Sequence, residues 1–90
     1  ELRGYGNVVR NNQISDSAGY TIKIQNDGKE YDRGGNVVEN NRLSGSAGAT
    51  FKIKSKATQG QFCGNNVVAS GALFDADSEG VTPAGVTSPC

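Results

Sequence analysis

The chain states nearly the same phrase twice. Residues 6–24 read GNVVRNNQISDSAGYTIKI and residues 35–53 read GNVVENNRLSGSAGATFKI, displaced by 29 residues with no gap. A fainter third copy opens at Asn65-Asn66-Val67-Val68 and runs to Leu73, now displaced by 30. A period of this length marks a solenoid, a propeller or an array, because each repeat is a unit that buries its apolar face only against its neighbour. The repeat therefore constrains architecture before any local motif does.

Within one period no apolar residues recur at helical spacing, and β-branched residues dominate them, so the repeat is read as strands. Three short pieces are expected per period. The first is Asn7–Arg10, matched by Asn36–Glu39 and by Asn66–Ala69. The second is Gln13–Ser15, matched by Arg42–Ser44 and Ala72–Phe74. The third, Thr21–Gln25, is matched by Thr50–Lys54. This last alternates, with Ile22, Ile24, Phe51 and Ile53 on one face and Thr and Lys on the other, as in a strand with one buried and one wet face.

The joints agree with this. Asn11-Asn12 and Asn40-Asn41 lie between the first two strands, with Ser70-Gly71 in the third copy, and these residue types tolerate a left-handed backbone at a sharp corner. Ser17-Ala18-Gly19 and Ser46-Ala47-Gly48 turn the chain into the third strand, and the joints at 26–34 and 55–64 are longer and polar. Three strands, an Asn corner, a small-residue turn and one long loop describe a coil of a parallel β-helix. Stacking places Asn12 over Asn41, Ile14 over Leu43 over Leu73, and Ile22 over Phe51 with Val81 as a third member.

The phrase N-V-V-x-N-N-x-[IL]-S, a Gly-bearing turn and T-x-K-I resembles the coil repeat of right-handed parallel β-helix proteins. These are the pectate-lyase-like superfamily, with pectin lyases, polygalacturonases and chondroitinase- and alginate-lyase-like families. The resemblance covers about Gly6 to Leu73. Stacked asparagines at the short corner recur in that superfamily, and Asn12 and Asn41 match them. The expected fold is all-β: a short right-handed parallel β-helix of about three coils with an irregular C-terminal cap. One domain spans 1–90, with a partial coil at 1–5, coils at 6–34 and 35–63, a partial coil at 64–79 and a cap at 80–90. Glu1-Leu2-Arg3-Gly4-Tyr5 reads as the tail of a third-type strand, so further coils or another protein chain are expected over the N-terminal end.

Composition narrows the function. Hydrophobic residues are 34% of the chain, too few for a sizeable globular core, and the net charge is zero, which gives no reason to expect nucleic acid. His is absent, which removes Ser-His and Cys-His pairs and the commonest zinc ligand. No apolar stretch is long enough to span a membrane. The two cysteines, Cys63 and Cys90, pair in a secreted protein and stay as thiols in a cytosolic one. The Ser, Thr, Asn and Gly richness favours a secreted chain with the bond formed.

For the site, the resemblance implies an elongated groove along one sheet, with basic residues and often calcium-binding carboxylates. The exposed face of the third strand offers Thr21 and Lys23 over Thr50, Lys52 and Lys54. Lys23 and Lys52 would stand about 5 Å apart, a spacing that grips an anionic sugar or lowers a lysine pKa for lyase chemistry. Asp75, Asp77 and Glu79 alternate as an oxygen cluster for calcium; otherwise no cofactor is expected. Asp27, Glu30 and Asp32 lie in a loop with Lys29 and Arg33 and are read as self-compensating. Tyr5, Tyr20 and Tyr31 are available to stack on sugar rings. The polygalacturonase signatures are missing, and two aligned threonines among lysines make a poor ice template. The expected function is a secreted, non-catalytic module recognising or scaffolding an anionic polysaccharide. Its alternatives are part of a polysaccharide lyase completed by absent coils or another chain, and a structural module assembling end to end.

Overall fold

A computed structural model describes residues 1–25, 33–68, 71–81 and 85–90. Among these there are no helices and eight short strands: β1 (Val8–Arg10), β2 (Gln13–Ser15), β3 (Ile22–Gln25), β4 (Val37–Glu39), β5 (Arg42–Ser44), β6 (Phe51–Lys54), β7 (Phe62–Cys63) and β8 (Asn66–Val68). No strand pairs with its neighbour in sequence. Each pairs in parallel with the one three further on, giving three sheets, β1-β4-β7, β2-β5-β8 and β3-β6. An all-β chain of parallel strands is what the repeat predicts, because identical phrases placed side by side present identical faces.

The register follows the 29-residue displacement through the first two copies. Val9 lies on Val38, Ile14 on Leu43 and Ile22 on Phe51. The third sheet is lengthened at both ends by single parallel bridges, Leu2 to Ile24 and Phe51 to Phe74. One apolar cluster joins all three sheets: Ile22, Ile24, Val38, Leu43, Phe51, Ile53, Phe62 and Val86, with Leu2, Val9, Ile14, Val67, Leu73, Phe74 and Val81 packed against it. Phe51 lies at its centre, with ring centroids 5.1 Å from Phe74 and 6.1 Å from Phe62. Burying a side chain of this class is worth roughly 1.5–3 kcal/mol, so this column anchors the third sheet.

The third copy departs from the sequence alignment. Asn66–Val68 does not join Val37–Glu39; it pairs with β5, so that Val67 rather than Leu73 lies on Leu43. The strand that joins β4 is Phe62–Cys63. Val81 is not the third member of the Ile22–Phe51 column, because Phe74 takes that place. The physical reason is the joint after the third strand. Seven residues separate β6 from β7, whereas eleven separate β3 from β4, and a polar surface joint is free to shorten. Ala69 and Ser70 of the sequence alignment lie outside the described residues, as do Asp27, Lys29, Glu30, Tyr31, Asp32 and Pro83.

Two side-chain ladders tie the strands together. In the first, Oδ1 of Asn41 accepts the backbone N–H and the Nδ2 of Asn12 (3.0 and 3.2 Å), and Oδ1 of Asn65 accepts the same two groups of Asn41 (3.1 and 3.0 Å). Asn41 and Asn65 are fully buried. The second ladder runs from Asn7 to Asn36 to Gln59, with Asn36 Nδ2 donating to Gln59 Oε1 at 2.7 Å. The residue before each member of the first ladder is left-handed: Asn11 (φ 59°), Asn40 (φ 56°) and Gly64 (φ 65°). Gly replaces Asn at the third corner because a Cβ there would collide with the Asn40 side chain and crowd Cys90 Sγ.

Cys63 and Cys90 are joined by a disulfide, with Cα atoms 5.1 Å apart. It holds the C-terminal segment over the last strands. There Val86 is fully buried, and its carbonyl accepts the backbone N–H (3.1 Å) and the Nδ2 (3.0 Å) of Asn65. Val86 O thus occupies the acceptor position that an asparagine Oδ1 fills elsewhere in the ladder.

Candidate functional site

Alternation along β3 and β6 turns Ile22, Ile24, Phe51 and Ile53 inward and leaves Lys23, Gln25, Lys52 and Lys54 half-buried on the other face. Parallel register sets Lys23 beside Lys52 and Gln25 beside Lys54. The three lysines named from the sequence therefore share one sheet face.

Thr21 and Thr50 do not join them. Thr50 is buried, its N–H donating to Ala72 O and its carbonyl accepting from the N–H groups of both Thr21 and Ile22. The corner turns before the strand begins, so the threonines leave the alternation that the lysines follow. Thr21 Oγ1 is buried without a hydrogen-bond partner among the described residues.

The lysines are not bare cations. Lys23 Nζ stands 3.9 Å from Glu1 Oε1, and Lys54 Nζ stands 3.8 Å from Asp77 Oδ2. Lys52 is held by Tyr20: its Nζ donates to the phenol oxygen at 3.4 Å and lies 4.9 Å from the ring centroid. The Tyr20 hydroxyl in turn donates to Asp75 Oδ2 at 3.0 Å, and the other oxygen of Asp75 accepts the Asp77 N–H at 3.0 Å. Tyr20 is thus the hub of the face, a role that its scattered position in sequence conceals. The available signal was its place directly before the third strand, where the second copy has Ala49.

The Tyr20 hydroxyl is the main reason that the Lys52 ammonium is held above its ordinary range; desolvation opposes it, and Asp75 and Asp77 reinforce it. Of the two consequences open to adjacent lysines, a lowered pKa is not what Lys52 shows: the Tyr20 hydroxyl first, and then Asp75 and Asp77, raise it. Lys52 stays protonated at neutral pH and is unsuited to act as a base. The Asp75 carboxyl is held below its ordinary range, first by the Asp77 N–H, against desolvation, and then by Tyr20 and Lys52. The Asp75 contribution to stability is present above the unfolded carboxylate pKa and fades as pH falls through the folded one. That of Lys52 is present below 10.5 and fades as pH rises through its folded value. Tyr20→Phe should move the Asp75 titration midpoint upward and that of Lys52 downward, followed by carboxyl and Nζ-adjacent NMR shifts. Unchanged midpoints would remove Tyr20 from the hub.

The carboxylates proposed for calcium are differently engaged. Both oxygens of Asp75 accept hydrogen bonds, Asp77 faces Lys54, and Glu79 is exposed with its N–H on Ile53 O. Among the described residues, the close group of three such donors is Glu39, Cys63 and Cys90, and both its sulfurs are in the disulfide. Tyr5 is half exposed, with the Arg33 guanidinium 4.9 Å from its ring centroid. No helix among the described residues is long and apolar enough to cross a membrane. No protein-family model, curated protein or solved structure matches the chain.

Proposed function

We propose that the chain is a secreted right-handed parallel β-helix module of the pectate-lyase-like kind, without chemistry of its own, whose lysine face binds an anionic polysaccharide. Strands that pair three apart, stacked asparagines and a 29-residue displacement support the helical winding. The Cys63–Cys90 bond supports secretion.

The observation that carries the binding is the in-register set Lys23, Lys52 and Lys54 on one extended face. Parallel strands lie about 4.8 Å apart, so the ammonium groups of Lys23 and Lys52 are near enough to engage one anionic chain together. The pairs Lys23–Glu1 and Lys54–Asp77 are long and partly exposed, and surface pairs are worth about 0–1 kcal/mol. A ligand carboxylate or sulfate displaces them at little cost. Lys52, held in place by the Tyr20 hydroxyl and ring, is the fixed cation of the face.

Retention on pectate, alginate and a sulfated glycan tests this. It should weaken with added salt, since exposed charges are screened within about 8 Å at physiological ionic strength. Changing Lys23 and Lys52 together to Ser should weaken it about three- to tenfold with the fold intact. Salt-insensitive retention, or an unaffected double variant, would remove the lysine face from the account. Ultraviolet-absorbing unsaturated ends released from these polymers would favour the lyase reading instead.

A further inference from the structure

We infer that Glu39, Cys63 and Cys90 form a second site, which in the reduced chain holds one thiophilic divalent cation of the zinc class. The site is independent of the lysine face and lies on the outward side of the first sheet. Val9, Val38 and Phe62 turn into the core there. Alternation sends the residue after each to the other face, and parallel register sets Arg10 beside Glu39 and Glu39 beside Cys63. The C-terminal segment brings Cys90 to the end of this column.

The donors already stand at nearly the right spacing. A carboxylate oxygen of Glu39 and the two Sγ atoms lie within 4.8 Å of one another. A tetrahedral zinc ion with ligands at about 2.0–2.3 Å needs its donors roughly 3.3–3.8 Å apart. Thiolate and carboxylate are donor types that this class of ion accepts. Asn40 Oδ1, 3.8 Å from Cys90 Sγ, or a solvent molecule completes the set.

The carboxylate is also oriented and balanced. The Glu39 side chain is only 12% exposed, and its Oε1 accepts from Arg10 Nε. In the oxidised chain the sulfurs offer this carboxylate no donor, whereas a cation held between them would. Two thiolates, one carboxylate and a divalent cation sum to a single negative charge, which the Arg10 guanidinium offsets.

Cys63 is buried and Cys90 exposed, so a dithiol reductant reaches the bond at Cys90 Sγ. The reductant passes two electrons and two protons to the sulfurs and is itself oxidised to a disulfide. The cation then replaces the two thiol protons, which leave to solvent. Disulfide and metal are alternative clasps on one segment, and each keeps the Val86 carbonyl on the Asn65 donors.

The test uses the intact protein, reduced with a phosphine that is then removed without air, and cadmium or zinc chloride alone. Cadmium should bind at one ion per chain with an ultraviolet thiolate-to-metal charge-transfer band, which the oxidised protein lacks. Saturating ion should restore most of the Tm lost on reduction, together with amide protection at Gly64 and Asn65. Glu39→Gln, its fold first verified in the oxidised form, should bind at least about tenfold more weakly, since even outer-shell losses cost about ten- to a hundredfold. Cys90→Ser should lose the recovery. No band in the reduced protein, binding that Glu39→Gln leaves unchanged, or binding without recovery of the two amides would overturn the inference.

Discussion

Asn41→Ala is expected to destabilise the protein by about 3–5 kcal/mol, a large fraction of the 5–15 kcal/mol typical of a domain. The side chain is 1% exposed and makes four hydrogen bonds. Its loss empties a buried site, removes the side-chain donor to the Val9 carbonyl, leaves the buried Asn65 Oδ1 with one donor fewer and takes away the acceptor of Asn12. A net hydrogen bond is worth about 1 kcal/mol, and each buried group left unpaired costs about 1–3 kcal/mol. Asn12, on the exposed edge, passes its lost bonds to water, so Asn12→Ala should cost about 1 kcal/mol or less. For a domain of this size the difference between the two variants corresponds to more than about 10 °C in Tm. Equal costs in thermal unfolding would mean that the buried ladder does not carry the strand corners.

Opening the disulfide has the second largest expected effect. The bond closes 27 residues, and in the chain-entropy account this is worth about 3.5 kcal/mol. It also keeps the Val86 carbonyl on the two Asn65 donors. The Cys63→Ala, Cys90→Ala double variant should therefore lose about 3–4 kcal/mol, or about 15–25 °C in Tm. Hydrogen exchange should accelerate first at Gly64 and Asn65, whose N–H groups donate to Ser88 and Val86. An unchanged Tm, with those amides still protected, would show that the C-terminal segment holds its place by packing alone.

What could be read from the sequence was whatever the repeat states twice. The alternation Ile22-Lys23-Ile24 over Phe51-Lys52-Ile53 fixes both the buried column and the lysine face, because a period of two leaves no other arrangement. The pairing of Asn12 with Asn41 followed from the same doubling. Asn7 and Asn36 were equally visible, yet were read as the starts of strands. That they form a ladder depends on Gln59, which continues the column with a different residue type. The third copy misled because Asn-Asn-Val-Val fits two phases of the repeat, and only the shortened joint after β6 selects between them. Thr50 failed the pattern by one residue, where the backbone turns before alternation begins. The Tyr20–Asp75 contact spans 55 residues and joins a copy to a non-repeating segment, so periodicity held no trace of it.

The register itself is directly measurable from backbone NOEs between Hα and amide protons of facing strands. The account predicts contacts displaced by 29 residues across β1–β4, β2–β5 and β3–β6, including Lys23 with Lys52. The displacement should fall to 24 residues across β4–β7 and β5–β8, as for Asn41 and Asn65. Antiparallel contacts would contradict both the fold and the placing of the lysines on one face, and Val37 facing Val67 at a displacement of 30 would contradict the register of the third copy.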